Sequence, residues 1–354
     1  KTRIVKENGE VHGGPVYYIR TAFKGTFGKI LAGFFAIAII LALGFFGCMV
    51  QSNSIGSTAQ TAFGIPSWII GIALVVIAGF IFLGGMDRLA SVTEKLVPVM
   101  ATFYLLGGLI IFFANITKVP EAFGLIFKYA FAPQAIIGGA FGAAIKKAVS
   151  QGAKRGLFSN EAGMGSAPNV AATADVTHPV KQGLIQTLGV FTDTLVICTC
   201  TAFIILFSGL ASTGEANGIK LTQMALNNEI GDIGTIYVAV AILFFAYSSI
   251  LGNYYYGEAN VRYITRQRWA IPVYRISVCG MVMFGALASL DLAWGLADIA
   301  MGFMTICNLI AIVLLGKYAF RLLEDYRIQK RSGIKNPVFT KDRMKDIEED
   351  LECW

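Results

Sequence analysis

Two short stretches of the chain carry residues able to hold a ligand inside an otherwise greasy sequence. The first is "RGLFSNEAGMGSAPNVAAT", Arg155 to Thr173, in which Ser159, Asn160 and Glu161 stand in a row ahead of Gly163 and Gly165. Ser159 and Asn160 can hydrogen-bond a polar ligand. Glu161 can attract an ammonium group or a cation, or can lock the segment to a neighbouring helix. The glycines permit backbone angles that other residues resist and leave their N–H groups accessible. The second stretch is "ILFFAYSSILGNYYYGEANVRY", where Ser248 and Ser249 lie mid-run beside Gly252 and Asn253. Paired hydroxyls together with backbone carbonyls are hard oxygen ligands of the kind a small alkali ion takes. The competing reading is back-bonding of each serine to a carbonyl one turn earlier.

Three further polar places interrupt apolar sequence. "FFGCMVQSNSI" presents Gln51, Ser52 and Asn53, either as ligand donors or as an interfacial cluster. "GVFTDTLVICTCT" sets Asp193 between Thr192 and Thr194, and "LDLAWGLADIAMG" carries Asp291 and, about two turns further in, Asp298. Each carboxylate reads as a cation partner or as an inter-helix hydrogen bond. The only histidines, His12 and His178, are far apart, which argues against a histidine-based metal centre. Five of the six cysteines, Cys48, Cys198, Cys200, Cys279 and Cys307, fall inside apolar runs and read as reduced, buried thiols.

The elements that must position these groups are membrane helices. Hydrophobic residues make up 55% of the 354 residues and charged ones 14%, against about 25% charged in a soluble domain. Seven stretches are long enough for ~30 Å of hydrocarbon: Ile30–Met49, Pro66–Met86, Leu96–Ile116, Leu184–Phe207, Thr235–Leu251, Ile271–Leu290 and Leu292–Leu315. All are apolar on every face, unlike the striped helices of a soluble bundle. An eighth, interrupted region runs from Ala132 to Ala174. The chain therefore reads as an all-α integral membrane protein with about eight transmembrane helices, one of them broken.

Even parity puts both chain ends on one side of the membrane. That side collects twenty-two of the 29 lysines and arginines, and the opposite loops only three, Lys118, Lys128 and Lys220. This bias predicts cytoplasmic ends for a multi-pass protein of the cell (inner) membrane. The net charge of +7 is then a topology signal, and no nucleic-acid partner is expected. The charged tail after Leu315 reads as a juxtamembrane amphipathic helix with a solvated end, in contact with anionic lipid or plainly cytosolic. Because the sequence starts at Lys1 with no methionine, signal or anchor before Gly28, it reads as a chain entered partway through.

About 45 residues of the interrupted region are too many for one helix and too polar for two. Either a re-entrant loop or two half-helices would satisfy it. Irregular backbone at membrane depth is tolerated only where protein buries it or it lines a cavity, and broken helices of this kind hold substrates and ions in secondary transporters. Half-helices over Ala144–Phe158 and Gly165–Ala174, joined at "SNEAGMG", are expected; "IIGGAFGAA" is the competing joint.

Seven segments in order, "NGEVHGGPVYYI", "MVQSNSI", "VTEKLVPVMA", "RGLFSNEAGMGSAPNVAAT", "HPVKQG", "SSILGNYYYGE" and "LDLAWGLADI", together resemble the alanine or glycine:cation symporter family over nearly the whole chain. The resemblance implies the LeuT-like fold of the APC superfamily, a bundle of two inverted five-helix repeats. It also implies three further spans ahead of this sequence, with half of the binding sites on one of them. Residues 1–27 would be a cytoplasmic loop, 28–116 the last three helices of the first repeat, 117–316 the second repeat with its broken helix over 133–175, and 317–354 a cytoplasmic tail. The implied activity is sodium-coupled uptake of small neutral amino acids, chiefly alanine, with glycine or serine, by alternating access. Na⁺ is the coupling ion. The resemblance places Ser248, Ser249 and the carbonyl of Phe245 at the sodium site. It places Gln51, Asn253 and the broken helix, with Ser159, Asn160, Glu161, Gly163 and Gly165, at the substrate site. Two departures bear on pocket size and preferred amino acid: Cys48 stands where an amide is expected, and Asn253 where many relatives carry an aromatic ring.

Three other functions compete. A proton-coupled carrier would use Asp193, Glu161 or Asp298 as its relay. A non-transporting membrane subunit is the second. An intramembrane enzyme is disfavoured, because HExxH, GxSxG and a convergent His/Cys/carboxylate set are missing from the sequence.

Overall fold

The computed structural model describes residues 2–5, 11–130, 140–210 and 217–343. A two-residue antiparallel pair, β1 (Ile4–Val5) with β2 (Val11–His12), precedes α1 (Pro15–Ala22). One long run, Thr26–Phe63, follows as α2 (Thr26–Ile39), a π-helical segment (Ile40–Gly47) and α3 (Cys48–Phe63). Next come α4 (Ser67–Leu83), α5 (Gly85–Ala114) and α6 (Val119–Ala130). The interrupted region supplies α7 (Ala140–Asn160) and α8 (Ala167–Ala171). A second long run comprises α9 (Pro179–Phe191), a π-helical segment (Thr192–Cys198) and α10 (Thr199–Phe207). The chain ends in α11 (Ile219–Ile230), α12 (Asp232–Ile264), α13 (Ala270–Leu287) and α14 (Leu290–Arg331).

Six helical runs are long and apolar enough to cross a bilayer, and α4, with 17 residues, is a shorter apolar helix. Helices are the only open-ended way for such sequences to satisfy their backbone in hydrocarbon. Burial runs opposite to that of a soluble protein. Phe80, Leu83, Ile110, Ile276 and Val313 are each two-thirds exposed or more, while Ser52, Thr58, Asn169, Asn260 and Asn308 are buried. Apolar side chains facing outward suit lipid contact, and polar ones facing inward find partners.

The chain divides into two compact units. The first comprises Lys1–Val50, Glu161–Val190 and Gly252–Trp354. There α14 packs against α1, α2 and the first π-helical segment, around buried Ile19, Phe35, Ile39 and Met304. The α1 helix is thus an anchored part of this unit. Glu258 on α12, 1% exposed, pairs with Arg262 at 2.5 Å and with Arg275 of α13 at 3.7 Å. The second unit comprises Gln51–Asn160 and Phe191–Leu251. In it α10 packs on α5, α6 and α11, with Ile111, Phe203, Phe207 and Leu226 at the centre.

Up to residue 343 the tail differs from the solvated end expected of its charge, and residues 344–354 lie outside the described residues. The 42 residues of α14 reach about 63 Å, twice the ~30 Å hydrocarbon layer, so its last turns stand beyond the bilayer. The chain then folds back. Phe339, 6% exposed, donates its N–H to the Thr177 carbonyl at 2.9 Å and packs on His178. Gln329 pairs both ways with the Val338 backbone at 3.0 Å. His178 is fully buried; Val180 N–H donates to its Nδ1, so Nε2 donates to Asp325 at 3.1 Å. An apolar Pro-Val-Phe step within the charged sequence makes this return possible.

Candidate functional site

The residues singled out in the sequence fall in both units: Glu161, Gly163, Gly165 and Asn253 in the first, and Gln51, Ser159, Asn160, Phe245, Ser248 and Ser249 in the second. The helix α7 ends at Asn160, and the backbone then unwinds over 161–166 before the five residues of α8. The turn is made by three left-handed residues, Glu161 at φ 50°, Gly163 at 75° and Gly165 at 93°. Glu161 is the one non-glycine residue with positive φ among the described residues, a conformation that costs energy and persists where the surroundings enforce it. The second half-helix is shorter than the Gly165–Ala174 expected, because the glycine turn consumes its first residues and Thr173 already bonds back to Val170. The competing joint lies partly outside the described residues; its Gly142 falls within α7.

Around the turn, backbone and side chains are tied down in detail. Ser166, fully buried, donates to the Glu161 carboxylate, and the Tyr256 hydroxyl of α12 lies within its reach. The Gly163 carbonyl accepts from Asn308 Nδ2 of α14 at 2.8 Å, and Tyr18 of α1 donates to the same amide's oxygen. Gly165 admits no side chain: a Cβ there would lie 2.9 Å from Phe35 and 3.0 Å from Asn308 and Pro15. Its carbonyl and that of Ser166 accept from Asn169 at 3.0 and 2.9 Å, and Asn260 of α12 donates to Asn169 at 3.3 Å. Asn253, 7% exposed, lies against Gly47 at the end of the first π-helical segment, where a Cβ would come within 2.7 Å of its amide. The small residue is what lets the amide approach.

In the second unit, Ser159 donates to Asp193, and Thr194 donates to Asn160 Oδ1 at 2.7 Å. Both partners sit on the second π-helical segment. Wide turns of this kind open the helix surface and recur at functional sites. Asp193 therefore makes an inter-helix hydrogen bond, one of its two sequence readings. Ser248 and Ser249 both donate to the Phe245 carbonyl, at 2.9 and 3.0 Å, and Ser248 also lies 3.4 Å from Met100 Sδ. Three oxygens thus converge within one turn. The helix α12 runs unbroken through them, so the arrangement is the back-bonded one. Gln51 is half-buried on α3. Among the described residues, no cluster of three or more His, Cys, Asp or Glu could hold a metal ion.

Residues that sequence reasoning missed are Asn308, Tyr18, Asn169, Tyr256 and Asn260. Asn308 is a lone amide in an apolar run, and that isolation is the signal that could have found it.

The geometry of the broken helix is complemented by comparison with known proteins, which gives the family. The sequence model of the sodium:alanine symporter family matches residues 1–341. The chain belongs to this family. A probable sodium/glutamine symporter of Bacillus subtilis is 46% identical over 350 residues, 99% of this chain and 71% of that protein. A putative sodium/proton-dependent alanine carrier of the same organism is 42% identical, over 95% of this chain and 71% of the relative. The sodium/alanine symporter of Methanococcus maripaludis is 40% identical over 95% and 74%. The chain is thus a multi-pass membrane member of a family of carriers, not of enzymes.

Proposed function

We propose that this protein is a sodium-coupled symporter of small neutral amino acids, alanine first, with glycine or serine, working by alternating access from the cell membrane with both ends of this chain cytoplasmic. The observation that carries the reading is the unwound turn at 161–166. Its glycines turn backbone groups out of the helical ladder, where they can meet the carboxylate and ammonium of an amino acid. Glu161, Ser159 and Asn160 border the turn and hold the ligand or the neighbouring helix. Gln51 and Asn253 face the substrate. The oxygens of Phe245, Ser248 and Ser249 take the Na⁺ ion when the serine hydroxyls rotate off the carbonyl and offer lone pairs. Relatives named for sodium and alanine support this choice of ion and substrate.

Two observations favour second readings. The sodium/proton-dependent relative, with the serine-bonded carboxylates Glu161 and Asp193, favours proton coupling. The sodium/glutamine relative favours a larger amide substrate. The deciding experiment is counterflow of radiolabelled alanine into proteoliposomes holding the intact protein, with and without Na⁺, and with glycine, serine and glutamine as competitors. Uptake that ignores Na⁺ and follows a pH gradient overturns sodium coupling. Stronger competition by glutamine than by serine overturns the substrate size.

A further inference from the structure

The stretch "HGGPVYYI", His12 to Ile19, carries part of the family resemblance, yet the transport reading gives it no task. Within the first unit it runs alongside the broken helix, in the opposite chain direction. Tyr18 of α1 reaches the unwound turn through Asn308. Pro15 lies against Gly165, where a Cβ would come within 3.0 Å of the proline ring. Gly14 lies against Asn169 of α8, where a Cβ would be 2.5 Å from the amide oxygen. Gly13 faces Ala172, where a Cβ would be 2.4 Å from the alanine methyl. Beyond these, Arg3 donates to the Ala174 carbonyl at 3.3 Å. Residues 163–174 are thus backed along their length by one stretch of chain. The glycine pair permits the approach, and Gly14, at φ 116°, makes the turn into α1.

At the turn itself, this contact sets the orientation of an amide. Asn308, 2% exposed, stands alone among apolar neighbours on α14. Its Nδ2 donates to the Gly163 carbonyl at 2.8 Å, and its Oδ1 accepts from the Tyr18 hydroxyl. A carbonyl can only accept, and the hydroxyl has a proton to give, so each end of the amide meets a complementary partner. Turned by half a rotation, the amide would set oxygen against the Gly163 carbonyl. Without the hydroxyl, Oδ1 would be a buried acceptor left unpaired, and that cost falls on the geometry in which Nδ2 meets Gly163. The hold of Asn308 on the turn therefore depends on a hydroxyl supplied by α1.

We propose that Tyr18 is a positioning residue for the substrate-binding turn, acting through Asn308 on the Gly163 carbonyl, and that the Gly13–Pro15 corner ahead of it splints the second half of the broken helix. The effect on uptake rests on the reading of the 161–166 turn as the place where the amino acid binds. The positioning itself stands on the first unit's own contacts.

Tyr18→Phe keeps the ring and deletes only the hydroxyl. With the intact protein in lipid nanodiscs, hydrogen–deuterium exchange over residues 159–170 should quicken about fivefold in this variant, the loss expected for one ordinary hydrogen bond. In proteoliposomes with Na⁺, half-saturation by radiolabelled alanine should rise by a similar factor, while the maximal rate stays within about twofold. A tyrosine that only supports the fold would lower the melting temperature and leave exchange at the turn and half-saturation unchanged; that result overturns the proposal. Asn308→Ala should raise both readouts at least as much, and Tyr18→Phe should then add nothing, because the two act in series. Full additivity of the pair overturns the route through Asn308. If Asn308→Ala has lost uptake, exchange alone closes the comparison. Gly13→Ala, which wedges the corner away from Ala172, should quicken exchange over 167–174; unchanged exchange there overturns the splint. Faster exchange in Tyr18→Phe, beside wild-type protein that takes up no alanine, glycine, serine or glutamine, sinks the symporter reading and leaves the positioning standing.

Discussion

The turn at 161–166 and the serine turn of α12 solve the same problem in opposite ways. Each places polar groups within apolar sequence, where unsatisfied donors and acceptors are costly. At the first, the helix gives way: three residues take left-handed angles, the Gly163 carbonyl is caught by Asn308 of a distant helix, and the Gly165 carbonyl by Asn169 four residues on. At the second, the helix persists and the serines satisfy themselves on the Phe245 carbonyl. Opened backbone therefore depends on tertiary partners, whereas back-bonded hydroxyls need none. The first should be sensitive for stability and function together. The second should be sensitive for ion dependence alone.

The largest expected effect is at Gly165. Gly165→Ala puts a side chain at φ 93° and 2.9 Å from Phe35, which costs about 1–3 kcal/mol in backbone strain before any clash is relieved. Alanine uptake in proteoliposomes should fall to background, and the melting temperature read by size-exclusion fluorescence should drop. Near-normal uptake would break the contrast. Next is Asn308→Ala, which strips the Gly163 carbonyl of its donor and leaves Tyr18 without its acceptor. Destabilisation of about 1–3 kcal/mol is expected, with a slower maximal rate; an unchanged melting curve would show that the turn holds itself. Ser249→Ala should move stability by under about 0.5 kcal/mol, since one back-bond is lost with its own donor. Half-saturating Na⁺ for uptake should rise severalfold. A large loss of stability with unchanged Na⁺ dependence would make that turn purely structural.

The smallest effect concerns the returning tail, where charge replaces glycine as the fastening. Partial burial disfavours the Asp325 carboxylate, but hydrogen bonds from His178, Arg343 and Gln329, with the charge of Arg343, outweigh it and hold the carboxyl below its ordinary range. A lowered folded-state value stabilises the fold fully above the unfolded carboxylate range, about pH 4, and the contribution vanishes as pH falls through the folded value. Proteolytic release of the tail should therefore be flat from pH 8 to pH 5 and rise below about pH 4. In Asp325→Asn it should be raised from pH 8 to pH 5 and should lose its excess over the wild type as the acid range is entered; a tail equally resistant in that variant at pH 7 would rule out the carboxylate as the fastener.

Much of this was legible beforehand, and what was not shares one cause. Apolar length alone marked where the long helices run: six of the seven stretches fall in helices long and apolar enough to cross a bilayer, and the other, at Ser67–Leu83, is a shorter apolar helix. The "SNEAGMG" stretch announced a break through its glycines, and the lone polar triplet around Asp193 announced a partner. Asn308 and Gln223 were not legible as partners of distant carbonyls. A single amide in a membrane helix satisfies itself on whatever the fold brings near it, and its own neighbours in sequence do not say what that is. The charged tail misled for a similar reason: its charge outnumbers its apolar residues, yet the buried Phe339 and the Val338 backbone decide where it docks.

What the sequence by itself determined is the solvent of the protein, the number and extent of its apolar runs, its family, and the place where a helix has to open. Local chemistry suffices for these, since hydropathy, the charge of loops and the conformational freedom of glycine act within a few residues. Only the tertiary structure decided which carbonyls and carboxylates have partners, that the serine pair is back-bonded, and that Gln223 bonds the carbonyls of Thr58 and Thr235. Those outcomes depend on which distant groups arrive within 3 Å of one another, and hydrogen bonds of that length are settled by packing alone.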